Sequence, residues 1–138
     1  MAVVFALDYG RKRVGVAVSD PTQTFVFPRP TLHRKVLDAD LLSLKCQFVE
    51  EGAGILLIGL PLNADGSEGE MAKEVREFGA KLGSAVGVKA TFWDERYTSL
   101  EAEERLRELY RDRKERKSRL DQAAAAIILR TWLERIED

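Results

Sequence analysis

Cysteine and histidine are nearly missing from this chain of 138 residues, which excludes whole classes of site. One cysteine, Cys46, cannot form an intramolecular disulfide, and with a single histidine, His33, it cannot complete a zinc site of cysteine and histidine ligands. A metal ion would therefore need oxygen ligands. Cys46 falls in a predicted helix, where we expect it to pack, and His33 is expected at the surface without a catalytic role.

Long apolar runs and an excess of one charge are also absent. No run reaches the ~18 residues that span a bilayer, and the first eight residues lack the basic start of a signal peptide, so we expect a cytoplasmic protein without membrane contact. The length predicts a single domain over residues 1–138. Since 22 basic residues face 23 acidic ones, any attraction to nucleic acid must come from local patches, such as Arg11–Arg13 and Arg111–Arg119.

Short apolar runs predict strands. Val3–Leu7 and Val14–Ser19 flank a glycine-containing turn and predict an antiparallel hairpin. Phe25–Leu32 contains two prolines and predicts a short edge strand. Ile55–Leu60 and Val88–Trp93 predict two further strands, and the continuous apolar character of the first indicates cover on both faces.

Helices are predicted between and after the later strands. Leu37–Glu51 has apolar residues at helical spacing, with Leu41, Leu44, Phe48 and Val49 on one face. Ser67 and Glu70 predict a capping box for a second helix. Two more helices are predicted to begin at capping residues Thr98 and Ser118. The alternation predicts an α/β fold whose mixed five-stranded sheet, an antiparallel hairpin first and parallel strands after it, is flanked by helices.

Three acids stand at the ends of predicted elements. Asp8 ends the first strand, Glu95 follows the last strand, and Asp121 lies in the first turn of the last helix. Parallel strands would bring Asp8 and Glu95 to one edge of the sheet, while strand alternation sends Asp94 to the other face.

Each of these acids also has a structural interpretation. Asp8 could serve the turn, Glu95 could pair with a surface cation, and Asp121 could complement the helix dipole. If the three acids lie close together, their carboxylates repel one another unless cations bind to them or their pKa values rise. Hard divalent metals favour such oxygen ligands.

Four stretches together resemble the YqgF/RuvX family over nearly the whole chain. They are Leu7–Ala17 (LDYGRKRVGVA), Gly59–Asn63 with Asp65–Ser67, Asp94–Thr98 (DERYT) and Asp121–Ala125 (DQAAA). The resemblance implies a ribonuclease H-like fold related to the RuvC resolvases. It also implies a nuclease for pre-16S rRNA or Holliday junctions, and it makes Asp8, Glu95 and Asp121 the catalytic and metal-binding acids.

The resemblance and the acid cluster together predict a metal-dependent phosphodiesterase. We expect two Mg²⁺ or Mn²⁺ ions roughly 3.5 to 4 Å apart, held by the three acids. Nucleic acid is the expected partner, whether precursor rRNA or branched DNA, and a weak or substrate-induced homodimer is expected on a junction. The cations expected to contact phosphates are Lys12, Arg13, Arg96, Arg113, Lys114, Arg116 and Lys117.

Two other functions compete with this hypothesis. Asp8–Gly10 followed by a hairpin also resembles the phosphate loop of actin-like ATPases and sugar kinases, although those enzymes bind nucleotide between two such domains. A nonenzymatic factor could instead bind RNA through the basic loops during ribosome assembly or transcription, because a site can be inherited without being used. A metal-dependent cleavage assay separates the three classes.

Overall fold

The structure is a computed structural model that describes residues 2–95 and 124–135. Its strands and helices, in chain order, are β1 (Val3–Tyr9), β2 (Arg13–Ser19), β3 (Val26–His33), α1 (Leu37–Glu50), β4 (Ala53–Leu60), α2 (Glu70–Val86) and β5 (Thr91–Asp94). Residues 124–135 are helical and are called α3 here. No helix within these residues has both the length and the apolar character needed to cross a membrane.

The five strands form one mixed sheet in the order β3-β2-β1-β4-β5. β2 runs antiparallel to both β1 and β3, whereas β4 runs parallel to β1 and to β5. The predicted hairpin and parallel crossovers are therefore confirmed. Because β1, β4 and β5 share one direction, their carboxyl ends meet at one edge of the sheet.

Helices cover both faces of the sheet. Alternate residues of β1 separate the two sides, since Phe5 and Leu7 belong to the core under α1 and α2, while Val4 and Ala6 belong to the core under α3. This double cover explains the continuous apolar run of β4, whose residues 56–60 are all buried.

The strand boundaries differ from the predicted ones by one or two residues at most ends, and the largest difference is at β5. β3 extends over eight residues at the end of the described sheet despite its two prolines. β5 begins at Thr91, three residues later than predicted, because Val88 takes part in the hydrogen bonds that terminate α2. Gly87 adopts a left-handed φ of 80°, and the N–H of Val88 donates to the carbonyl of Gly83 at 3.1 Å.

The predicted capping box at Ser67 is wrong. α2 begins after Gly69, and no side chain caps it. The hydroxyl and N–H of Ser67 instead donate to Asp65 Oδ1 at 2.6 and 2.9 Å, and Asn63 Nδ2 donates to Ser67 Oγ at 2.9 Å. Ser67 thus stabilises the loop between β4 and α2, and its hydroxyl does not cap the helix.

Two predictions on α1 are also wrong. Cys46 is exposed, and Val49 keeps 67% of its surface accessible. α1 buries Asp40, Leu44 and Phe48, which follow one another at intervals of four residues. Cys46 stands two residues from Leu44, about 200° around the helix, and therefore faces away from the core. His33 is exposed, as predicted.

The aspartate that α1 buries is paired with an arginine. Asp40 is 2% exposed, and its two carboxylate oxygens accept hydrogen bonds from Arg34 Nε and from the N–H of Lys35, each at 3.0 Å. The guanidinium of Arg34 lies over the rings of Tyr9 and Phe78, 5.0 and 5.2 Å from their centroids. The charges are thus neutralised locally while the arginine packs over two aromatic rings that contact each other.

Arg34 also holds the turn between β1 and β2. Its Nη1 donates to the carbonyl of Gly10 at 3.3 Å, and its N–H donates to the carbonyl of Lys12 at 2.9 Å. Arg11 in the same turn donates to Glu74 of α2 at 3.0 Å. These contacts stabilise the turn that directly follows Asp8.

Candidate functional site

Asp8 lies near the carboxyl end of β1 on the face covered by α3. Val4 and Ala6 point into the core under α3, so strand alternation places Asp8 on the same face. Asp8 lies opposite Gly15 of β2 and is partly buried. Its backbone is therefore fixed by a central strand of the sheet.

Glu95 reaches the same face from β5. Trp93 packs into the core under α3, and Glu95 follows it by two residues. The N–H of Glu95 donates to the carbonyl of Leu60 at 3.2 Å, which continues the β4–β5 pairing one residue past the strand. Phe92 packs on the opposite side of the sheet, and Asp94 alternates with Glu95 toward that side, as the sequence predicts.

Gly59 separates the two acids on the intervening strand. β4 lies between β1 and β5, and Gly59 is paired with Trp93. A Cβ atom built on Gly59 would lie 2.5 Å from Glu95 Oε2, so the carboxyl group of Glu95 occupies the space above this glycine. There it shares a hydrogen bond with the carboxyl group of Asp8.

The electrostatics of Glu95 follow from this position. Burial, the negative charge of Asp8, their hydrogen bond and the charge of Asp94 raise the pKa of Glu95 from 4.5 to about 7. Near neutral pH the two acids can therefore share a proton. A divalent cation could take the place of that proton, because it offers more positive charge to the same oxygen atoms.

α3 closes this face of the sheet. Trp93 Nε1 donates to Thr131 Oγ1 at 3.0 Å, and Arg135 lies over the Trp93 ring at 5.4 Å from its centroid. One turn earlier, Ile128 Cδ1 would lie 2.6 Å from a Cβ atom on Gly59. The helix thus packs directly beside the Asp8–Glu95 pair.

The third predicted acid, Asp121, lies outside the described residues. Within residues 2–95 and 124–135 no three side chains of histidine, cysteine, aspartate or glutamate come together in a way that could hold a metal ion. Two of the three predicted acids, Asp8 and Glu95, are brought together.

Of the basic residues predicted to contact phosphates, two lie within the described residues and five lie outside them. Lys12 and Arg13 are exposed beside the candidate site. Arg13 precedes Gly15 by two residues, so it lies on the same face as Asp8, and it is paired with His33 of β3. The remaining predicted phosphate contacts, at Arg96, Arg113, Lys114, Arg116 and Lys117, lie outside the described residues.

A family model described as "RuvX: Holliday junction resolvase" matches residues 2–135. The chain belongs to the RuvX family. A Maridesulfovibrio salexigens protein named "Putative pre-16S rRNA nuclease" is 42% identical over 132 residues, which cover 96% of this chain and 98% of that protein. A Bartonella bacilliformis protein of the same name is 40% identical over 134 residues, covering 97% and 83%.

A solved structure extends the likeness of this RuvX-family chain to its fold. T. thermophilus RuvC in complex with a Holliday junction substrate superposes with a TM-score of 0.64, covering 99% of this chain and 97% of the RuvC chain. The sequence identity is 12%, so this likeness concerns the fold alone. The predicted ribonuclease H-like fold and the family assignment are both confirmed.

Sequence reasoning placed Gly59 in a stretch that resembles the RuvX family but gave this residue no role in the site. The sequence does contain a relevant signal, because Gly59 interrupts an apolar strand run at a position where no turn occurs. A glycine inside a strand often marks a point where another group approaches closely. Here the approaching groups are the ends of the Glu95 and Ile128 side chains.

Proposed function

We propose that this RuvX-family protein is a metal-dependent nuclease that hydrolyses phosphodiester bonds in structured nucleic acid. The observation that carries the proposal is the contact between the carboxyl groups of Asp8 and Glu95 at the carboxyl edge of the sheet. A pair of like-charged groups with a raised pKa in a partly buried position costs stability, which favours a role in chemistry over a role in folding. The family model and the names of the curated relatives point to the same activity.

The donor set fits Mg²⁺ or Mn²⁺. Both ions prefer carboxylate oxygens, and Asp8 and Glu95 offer these from two strands of one sheet. Asp121, which the resemblance to the RuvX family implies as the third acid, would complete this donor set. Two bound ions would activate a water molecule and neutralise charge on the phosphoryl oxygens.

The protein's own cations would position the nucleic acid. Arg13 shares the face of Asp8, and Lys12 is exposed in the same turn, so both can contact phosphates beside the bond that is cut. Arg96 and the basic stretch with Arg113, Lys114, Arg116 and Lys117 would extend this contact. Because such contacts neutralise phosphates without bonding to base edges, we expect them to set affinity and register but no sequence preference.

A cleavage assay tests the proposal. Labelled precursor RNA spanning the 5′ end of 16S rRNA, unstructured RNA and a four-way DNA junction are incubated with protein in Mn²⁺, in Mg²⁺ and in chelator. Asp8→Asn, purified identically, controls for contaminating nucleases. We expect cleavage that needs metal and is lost in Asp8→Asn.

Equal cleavage by wild type and Asp8→Asn would contradict the proposal. Tight RNA binding with no cleavage in either metal would also contradict it, and would favour the nonenzymatic RNA-binding factor.

The choice of substrate bears on the oligomeric state. A Holliday junction presents two equivalent bonds, so paired incision needs two sites related by a two-fold axis, whereas trimming of a precursor RNA needs one. We propose a weak or substrate-induced homodimer on the junction. Sedimentation with and without junction measures this, and a strict monomer that cuts RNA efficiently would leave RNA processing as the function.

A further inference from the structure

Gly59 lies where the candidate site leaves little room for a side chain. Of the atoms that a Cβ on Gly59 would approach, the nearest are Glu95 Oε2 at 2.5 Å and Ile128 Cδ1 at 2.6 Å. Both distances are shorter than a carbon atom tolerates, so any side chain at this position competes for space with a proposed metal ligand.

The backbone conformation does not require glycine at this position. Gly59 lies in a regular parallel ladder with β5, and it is not among the residues with positive φ, so an L-residue can adopt its backbone conformation. Glycine inside a strand also costs conformational entropy on folding. By contrast, a Cβ on Gly83 would meet the backbone carbonyl of Val88 at 2.6 Å, which the chain cannot move cheaply.

We propose that Gly59 is a positioning residue of the reaction: its missing side chain leaves the space in which the Glu95 carboxyl group lies across β4 and meets Asp8. This inference rests on the proposed function for its catalytic consequence, but its geometric content stands apart from it. Gly59 touches no reacting atom and acts through Glu95.

Replacement of Gly59 by alanine should therefore spare the fold and disturb the site. The atoms that must give way are the ends of two rotatable side chains, so Glu95 and Ile128 can turn aside with β4 intact. Once Glu95 turns aside, its carboxyl group leaves Asp8. Loss of a residue that orients a ligand typically weakens metal affinity or activity by roughly 10- to 100-fold, and we expect that range here.

Gly54→Ala is the matched control. Gly54 lies in the same strand, and its added Cβ would meet one atom, Ala2 Cβ at 3.0 Å, far from the acids along β4. The full-length Gly59→Ala and Gly54→Ala proteins are compared in Mn²⁺ affinity by electron paramagnetic resonance, in kcat and KM, and in melting temperature. For Gly59→Ala we expect weaker Mn²⁺ binding and lower kcat at an unchanged KM, with Gly54→Ala at wild-type values.

A double variant distinguishes the effect of the clash with Glu95 from the effect of the clash with Ile128. Ile128→Val removes Cδ1, so Gly59→Ala/Ile128→Val relieves the clash with α3 and leaves the clash with Glu95. The double variant also keeps the test usable if Gly59→Ala alone folds poorly. We expect it to fold and to keep the defect in Mn²⁺ binding. Full recovery would show that Gly59 serves helix packing and would overturn the inference.

A crystal structure of the alanine variant separates this inference from the proposed function. We expect the Asp8–Glu95 carboxyl contact to be broken in Gly59→Ala or in the double variant, and to persist in Gly54→Ala. Persistence of the contact in the two Gly59 variants would overturn the inference whatever the activity. Absence of cleavage and Mn²⁺ binding in the wild type would instead defeat the proposed function and leave the geometric test valid.

Discussion

Two pairs of charged side chains flank the carboxyl end of β1, on opposite faces of the sheet. Under α1 and α2, Asp40 is buried against Arg34 and accepts a further hydrogen bond from the backbone. Under α3, the carboxyl group of Glu95 is held against that of Asp8, and its pKa rises to about 7. One pair neutralises its charges locally, while the other brings like charges together. The contrast separates an acid retained for the fold from acids suited to chemistry.

Among variants that disrupt one of the two pairs, the largest expected effect is the loss of cleavage in Asp8→Asn. Asp8→Asn should lower kcat by at least about a thousandfold, some 4 kcal/mol in activation free energy, because a metal-binding charge disappears at nearly constant volume. The same change relieves the repulsion with Glu95, so the metal-free variant should melt at or above the wild-type temperature. Single-turnover cleavage and calorimetry measure the two effects. A large loss of thermal stability would assign Asp8 to the fold.

Removal of the Arg34–Asp40 ion pair, on the other face of the sheet, should instead lower the stability of the fold. Arg34→Met leaves the carboxylate of Asp40 buried without its cation, and such a loss typically costs about 3–5 kcal/mol in the free energy of unfolding. Urea denaturation at neutral pH measures it. Arg76→Met is the control, because Arg76 is exposed in its ion pair with Glu68 and should change stability little. If the two variants were equally stable, Arg34–Asp40 would not be the structural pair that its burial indicates.

The raised pKa of Glu95 predicts a pH dependence in the metal-free protein. Burial and the charge of Asp8 raise the pKa from 4.5 to about 7, so the folded state binds a proton that the unfolded state releases. The stability that this proton contributes is fully present below pH 4.5 and is lost as the pH rises through about 7.

Wild type should therefore lose stability relative to Glu95→Gln over this interval, because glutamine carries no charge at any pH. Chemical denaturation at several pH values, in chelator, measures the difference. A difference that stays constant with pH would show that Glu95 is not held against Asp8.

The smallest expected effect concerns the cations beside the site. Replacing Lys12 and Arg13 with serine should flatten the dependence of log affinity on log salt, each lost phosphate contact removing roughly 0.7 to 0.9 from the slope. Fluorescence anisotropy with labelled RNA and junction DNA measures this slope. Arg76→Ser, a charge change on α2, should leave it unaltered. An unchanged slope in the double variant would remove Lys12 and Arg13 from the nucleic-acid contact.

Sequence reasoning predicted the fold and the meeting of Asp8 with Glu95 because both follow from local patterns. A short apolar run identifies β1, and the direction of the strands brings the two acids to one edge. Ser67 was mispredicted because the capping pattern ignores Asp65 two residues earlier, whose carboxylate competes for the same hydroxyl. Such local competition leaves no trace in the spacing of capping residues.

The Arg34–Asp40 pair could not be predicted, because its burial depends on three separate elements. In the sequence, Asp40 looks like an acid that complements the dipole at the start of α1. Tyr9 from β1 and Phe78 from α2 supply the aromatic rings over which Arg34 lies. These residues are far apart in the chain, so only the packed sheet and helices reveal the cluster.

The two prolines of β3 affect how the protein behaves at high concentration. β3 is an end strand of the described sheet, and Phe25 and Phe27 near its start are 62% and 43% exposed. Pro28 and Pro30 have no backbone N–H, so neither can donate a hydrogen bond to an added strand. A strand from another molecule would therefore meet few amide donors if it paired with β3. This protects an edge strand with exposed aromatic side chains against aggregation by strand addition.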